Sequence, residues 1–221
     1  MASVMHKIVG VWLLSLVLLL TACGSNLSEL SGVEEEPSVS VEEIPKEPDR
    51  REIEEKLRAS SGQKIESFFA NNFYLLDVVT GEDAQANVYA TRQFTREQLV
   101  SLVSNVKPPE EASEVKDGEQ ILIYPDYFVT FKPSEEDADV LLIEVASDQF
   151  VRSNYSPNHL NGFFTFLLLN RMLGTSGWEN SRMEQCRNGG CYGGYTTRDR
   201  GGLNTKRGMS SYRGGGASAG K

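Results

Sequence analysis

EQILIYPDYFVTFK, Glu119–Lys132, is the stretch that decides the fold. Two apolar runs meet at Tyr124-Pro125-Asp126, where the fixed φ of proline suits a turn. Side chains alternate across a strand, so Tyr127, Val129 and Phe131 share one face and Phe128, Thr130 and Lys132 the other. The acidic loop SEEDAD follows, and DVLLIEVA (Asp139–Ala146) then reads as a strand apolar enough for a central place in a sheet. Upstream, NFYLLDVV (Asn72–Val79) reads as a buried strand ended by Thr80-Gly81, and Gln85–Arg92 alternates weakly enough to pair with it as a hairpin.

Helical periodicity fills the gaps between these strands. RREIEEKLRA (Arg50–Ala59) places Ile53 and Leu57 at i, i+4, and Ile65, Phe68 and Phe69 share a face of a second short helix over Ile65–Asn71. Thr95 and Gln98 have capping-box spacing ahead of a stripe of Leu99, Leu102, Val103 and Val106, which Lys107-Pro108-Pro109 stops. Glu110–Asp117 reads as a polar loop. NGFFTFLLLNRML (Asn161–Leu173) is apolar nearly all round yet too short to span a bilayer, so it predicts a core helix across the sheet, with a membrane- or partner-facing helix as the alternative. These elements predict an α+β domain: a mainly antiparallel sheet of about four or five strands with packed helices, flanked by disordered tails.

The two ends differ in charge. The 221-residue chain carries a net charge of -9, which argues against nucleic acid as a general partner. Gly24–Arg50 has eight acids against Lys46 and Arg50, whereas Ser181–Lys221 has eight bases against Glu184 and Asp199. The first segment cannot bury enough apolar surface to offset its ordering entropy and reads as a tether.

Ahead of the tether, Lys7 precedes the apolar run Ile8–Leu20, within the range of a secretory signal core. Leu20-Thr21-Ala22-Cys23 resembles the lipobox of bacterial lipoproteins. The resemblance implies that the Cys23 thiol takes a diacylglyceryl group, that cleavage precedes it, and that two acyl chains hold the mature chain on the extracytoplasmic face of a cell membrane. Gly24 replaces the Asp that retains many such proteins in an inner membrane, which leaves an outer-membrane address open in a Gram-negative envelope. The predicted organisation is a signal peptide over 1–22, a lipidated Cys and acidic tether over 23–49, an α+β domain over 50–180 and a Gly/Arg-rich basic tail over 181–221.

With Cys23 lipidated, Cys186 and Cys191 remain in an oxidising compartment, and the short RNGG loop between them can bend to bring the sulfurs together. A structural disulfide is the favoured reading; two thiols with no nearby His supply only half a zinc shell. Catalytic groups are sparse. His159 lacks a nucleophile elbow around Ser156 and Asp148, and Glu135, Glu136, Asp137 and Asp139 lack the spacing of a calcium loop. No cofactor or metal is expected. The leading function is a non-enzymatic binding or structural module of the cell envelope. Its rivals are a small envelope hydrolase using Asp126, Glu144 or His159, and a tail that is itself a substrate for covalent modification.

The tail interleaves Arg, Gly and Tyr in the manner of segments that bind polyanions by charge and stacking. Arg198, Arg200, Lys206, Arg207 and Arg213 are its candidate ligand-binding bases. Outside the cytoplasm the anions within reach are phospholipid headgroups, wall polymers and acidic envelope proteins. YPDYFVTF, IEVASDQFVRSNYSP, FFTFLLLNRML, GGCYGGY and the glycine-rich end together resemble a family of uncharacterised bacterial lipoproteins, domain-of-unknown-function family 4247, over roughly Ile65–Lys221. That resemblance implies anchoring outside the cell and assigns no activity, so no catalytic residue is carried over.

Overall fold

The hairpin of Glu119–Lys132 forms β4 (Gln120–Tyr124) and β5 (Tyr127–Pro133), with Pro125-Asp126 as its two-residue turn and Leu122 opposite Val129. A computed structural model describes residues 40–81, 83–173, 177–187 and 191–197 of the chain. Around the hairpin lie β1 (Tyr74–Thr80), β2 (Gln85–Thr91), β3 (Glu111–Ala112) and β6 (Leu141–Ser147), in the order β1-β2-β6-β5-β4-β3 with every pairing antiparallel. The fold is α+β. The strand from DVLLIEVA, β6, lies between β2 and β5 in the interior of the sheet.

The sheet has six strands rather than four or five. The additional one, β3, lies inside the stretch expected to be a polar loop. Glu110 and Ser113 donate backbone N–H groups to Ile123 and Ile121, and the Ser113 hydroxyl accepts from the Ile121 N–H at 2.9 Å. A two-residue strand has too few positions to show an alternating pattern, so hydrogen bonding to β4 is what defines it.

Both faces of the sheet are buried around β4, β5 and β6, which explains why these strands are nearly continuous apolar runs. Leu122, Val129, Phe131, Ile143 and Val145 belong to one core layer. It is completed by α1 (Arg50–Ala59), α2 (Ile65–Ala70) and α3 (Arg96–Val106), through Ile53 and Leu57, through Phe68 and Phe69, and through Leu99 and Val103. Asp49 caps α1 by accepting from the Glu52 N–H, and Thr95 and Gln98 close the capping box on α3. Ile121, Ile123, Phe128, Val88, Leu142 and Ala146 face the opposite layer. There β6 runs into α4 (Asp148–Asn154), followed by α5 (Pro157–Leu160), α6 (Phe166–Leu173) and α7 (Trp178–Cys186).

The apolar segment expected to be helical throughout Asn161–Leu173 is helical only from Phe166. In α6 Leu169 and Leu173 are buried in the second layer, while Leu167 points outward at 79% exposed. Among the described residues no helix is long and apolar enough to cross a membrane.

The folded region extends beyond both expected boundaries. A 3-10 turn at Val41–Glu43 buries Val41 in the second layer, with Ile44 packed against it. Arg92 donates from Nη2 to the Val41 carbonyl and pairs with Asp137, and its backbone N–H reaches the Glu47 carboxylate. The domain therefore starts ahead of Arg50, taking in residues assigned above to the tether. At the other end Arg182, Tyr192, Tyr195 and Thr197 are buried, so the segment assigned to a tail from Ser181 contributes core residues up to Thr197.

Candidate functional site

The second layer encloses a polar island centred on Glu144. This residue lies on β6, paired with Val88 of β2 and Thr130 of β5. Strand alternation turns its side chain into the second layer between Leu142 and Ala146, where it is 3% exposed. Tyr155, just beyond α4, donates its hydroxyl to Glu144 Oε1 at 2.9 Å, and the Tyr195 N–H donates to Oε2 at 3.2 Å. The Tyr192 hydroxyl acts on the same carboxyl without reaching ordinary hydrogen-bond geometry. Burial pushes the Glu144 carboxyl above its ordinary value of 4.5; Tyr192, Tyr155, the Tyr195 amide and nearby His159 pull it partly back. Burial likewise pushes the Tyr155 and Tyr192 hydroxyls well above 10.0, and the charge of Glu144 adds to the effect.

The tyrosines reach Glu144 because the segment Cys191–Thr197 is laid onto the domain as an arm. Tyr192 pairs with Tyr155 in a parallel bridge: its N–H donates to the Asn154 carbonyl at 2.8 Å, and its carbonyl accepts from Ser156 at 2.7 Å. Phe150, Tyr155 and Tyr192 meet edge to face, with ring centroids 5.0 to 6.1 Å apart. Farther along, the Tyr195 hydroxyl donates to Asp77 at 3.1 Å, where a bulge interrupts the pairing of β1 with β2. Between the two tyrosines Gly194 adopts φ +90, and a Cβ there would stand 3.1 Å from the His159 ring. Glycine is the residue that tolerates both the left-handed backbone and the close approach.

A clasp holds the start of the arm. Cys186, the last residue of α7, is bonded to Cys191, with the Cα atoms 5.2 Å apart. Arg182, one turn back on α7, donates from Nε to the Tyr155 carbonyl and from Nη2 to Cys191 Sγ, each at 3.3 Å. Trp178 anchors the other end of the helix by donating its indole N–H to the Arg152 carbonyl at 2.9 Å.

Of the residues considered for catalysis, His159 lies near enough to Glu144 for its charge to act on the carboxyl, and Asp126 does not join them. Asp126 is exposed on the β4–β5 turn, whereas Glu144 is buried on the sheet face. His159 lies against Glu119, its Nε2 3.4 Å from Oε1, with neither atom in a regular hydrogen bond. Ser156 hydrogen-bonds through its backbone to Tyr192, and Asp148 pairs with Arg152. In the acidic loop Glu136 accepts from the Val41 N–H and Asp137 pairs with Arg92, so these acids hold the chain entering the domain. The described residues contain no group of three or more His, Cys, Asp or Glu side chains placed to hold a metal. Cys23, Arg198, Arg200, Lys206, Arg207 and Arg213 lie outside the described residues.

The role of Tyr192 and Tyr195 in the core is the feature that composition concealed. Both sit among glycines and bases, in a segment that reads as solvated. A usable signal lay in the pairing of CYGGY with a second cysteine five residues earlier, since a covalent tie lets a short segment contribute to a core it could not otherwise join. A family model described as a domain of unknown function (DUF4247) matches residues 56–221. No curated protein and no solved structure matches the chain.

Proposed function

The chain belongs to the DUF4247 family over residues 56–221, and on that premise we propose that it is a lipid-anchored domain on the extracytoplasmic face of a cell membrane, where it binds an envelope component without converting it. The observation that carries this reading is the Cys186–Cys191 bridge, which clasps an arm whose tyrosines complete the core. Disulfides persist outside the cytoplasm and are kept reduced within it. The charged-then-apolar start of the sequence and the lipobox ending at Cys23 supply the route and the anchor. Two acyl chains give stable attachment where one would be reversible.

A binding role is supported by how the polar groups are used. Glu144 spends both oxygens on contacts from Tyr155 and Tyr195, and Asp126 stands apart from it on an exposed turn. The chain beyond the arm supplies Arg198, Arg200, Lys206, Arg207 and Arg213, a basic run suited to headgroups, an anionic wall polymer or an acidic envelope protein. Each base near an anionic membrane contributes roughly 1 kcal/mol of attraction.

Metabolic labelling with palmitate tests the anchor. Wild type should incorporate label and partition with membranes, and Cys23→Ala should do neither; equal labelling of the two removes the lipid-anchor reading. Deletion of residues 198–221 should abolish retention of the purified protein on anionic vesicles and on wall polymer. Retention of the deleted form would remove the basic run from the binding role.

A further inference from the structure

We propose that the Cys186–Cys191 bridge is an exchangeable disulfide, attacked at Cys186 by an external thiolate, whose opening loosens the Cys191–Thr197 arm from the face of the sheet. The inference is independent of lipid anchoring, and the palmitate result leaves it untouched.

Three features of the clasp point to this chemistry. Both cysteines are partly exposed, so a small thiol or the active cysteine of another protein can reach them. The two sulfurs also differ as leaving groups. Cys191 Sγ lies 3.3 Å from the Arg182 guanidinium, which stabilises a thiolate there. Cys186 ends α7, where the carbonyl end of the helix dipole disfavours negative charge. Exchange is faster when the departing sulfur is the better thiolate, so attack is directed to Cys186 and departure to Cys191.

The incoming thiol first loses its proton to solvent. Its thiolate forms a bond to Cys186 Sγ, the Cys186–Cys191 bond breaks, and the electron pair of that bond stays on Cys191 Sγ beside Arg182. A second thiolate can attack the sulfur of the bound thiol and release Cys186 as a thiolate. The net change is a two-electron reduction of the protein disulfide, with two thiols oxidised to one disulfide.

The consequence for the arm follows from its attachments. Cys191 is its first residue, and the next contacts are the Tyr192–Asn154 and Ser156–Tyr192 backbone bonds and the Tyr195 bond to Glu144. Without the cross-link these bonds, the Tyr195–Asp77 bond and the packing of the two buried tyrosines must hold the segment. Loss of a short closed loop raises the population of the open arm by roughly 10- to 40-fold.

The test uses the full chain and reduced glutathione as the thiol. Adducts are trapped with acid, the released thiol is blocked with N-ethylmaleimide, and both sites are mapped by peptide mass spectrometry. Glutathione should appear on Cys186 and the maleimide on Cys191. The reverse pattern, an even split, or reduction that occurs only under denaturing conditions would overturn the proposal. In the reduced protein, hydrogen exchange at the Ser156, Tyr192 and Tyr195 amides should speed up by roughly 10- to 40-fold while the β5–β6 ladder is unchanged. Unchanged exchange at those three amides would show the bridge to be a passive staple. R182Q should slow adduct formation by roughly 3- to 10-fold, and R182K should restore it by keeping the charge. Because Arg182 also supports the Tyr155 carbonyl, the wild-type adduct map decides the matter should R182Q fold poorly.

Discussion

A carboxyl whose pKa rises on folding binds its proton more tightly in the native state, and Glu144 is such a group. Between its ordinary value of 4.5 and the raised native value, the folded chain holds more protons than the unfolded one. Its contribution is therefore fully present below about pH 4.5 and is lost as pH rises through the native pKa. Glu144→Gln keeps an acceptor for one donor and removes the titration. Its urea midpoint should fall less steeply with pH above about 4.5 than that of wild type, and parallel curves would assign the slope to other groups. Glu144→Ala should be worse at every pH, by about 1–3 kcal/mol, because the Tyr155 hydroxyl and Tyr195 N–H lose their acceptor in a buried site. The same chemistry tells against reading Glu144 as a surface acid: its surroundings are two aromatic rings and a backbone amide on a closed sheet face.

Elements differ in how plainly they declare themselves. The hairpin at Pro125-Asp126, the interior strand β6 and the capped helix α3 were legible because each rests on local rules: a turn proline, a continuous apolar run, and Thr95 spaced three residues from Gln98. β3 was not, since Glu111 and Ala112 owe their strand geometry to β4 rather than to any pattern of their own. Val41 lies in an acid-rich stretch with no clear periodicity, and its burial depends on Arg92 and Glu136 from distant parts of the sequence. The arm was hidden in the same way, its tyrosines made core residues by a cross-link and by a glycine. Gly194→Ala should cost about 1–3 kcal/mol in urea unfolding, because the backbone at φ +90 and the His159 ring both oppose a Cβ. Gly193→Ala, with nothing within 4 Å of the added methyl, should stay within about 0.5 kcal/mol of wild type. Equal effects of the two substitutions would mean that the arm is not seated against His159.

At the scale of the whole molecule, the entering and departing ends of the described chain serve the same core layer. Val41 and the tyrosines at 192 and 195 all belong to the layer on the α4–α7 side of the sheet. The contact at Val41 is where the first of these ends can be released without touching the sheet. A buried valine is worth about 1.5–3 kcal/mol relative to exposure, and an aspartate there would add the cost of burying a charge. Val41→Asp should release the 3-10 turn as a local unfolding event while the strands keep their amide protection. Lys46 is exposed in the same segment and provides the reporter: trypsin should cut after it faster in the variant by on the order of 10-fold or more, at the rate expected for a free segment. An unchanged rate would show that residues 40–49 are held by Arg92 and the acidic loop alone.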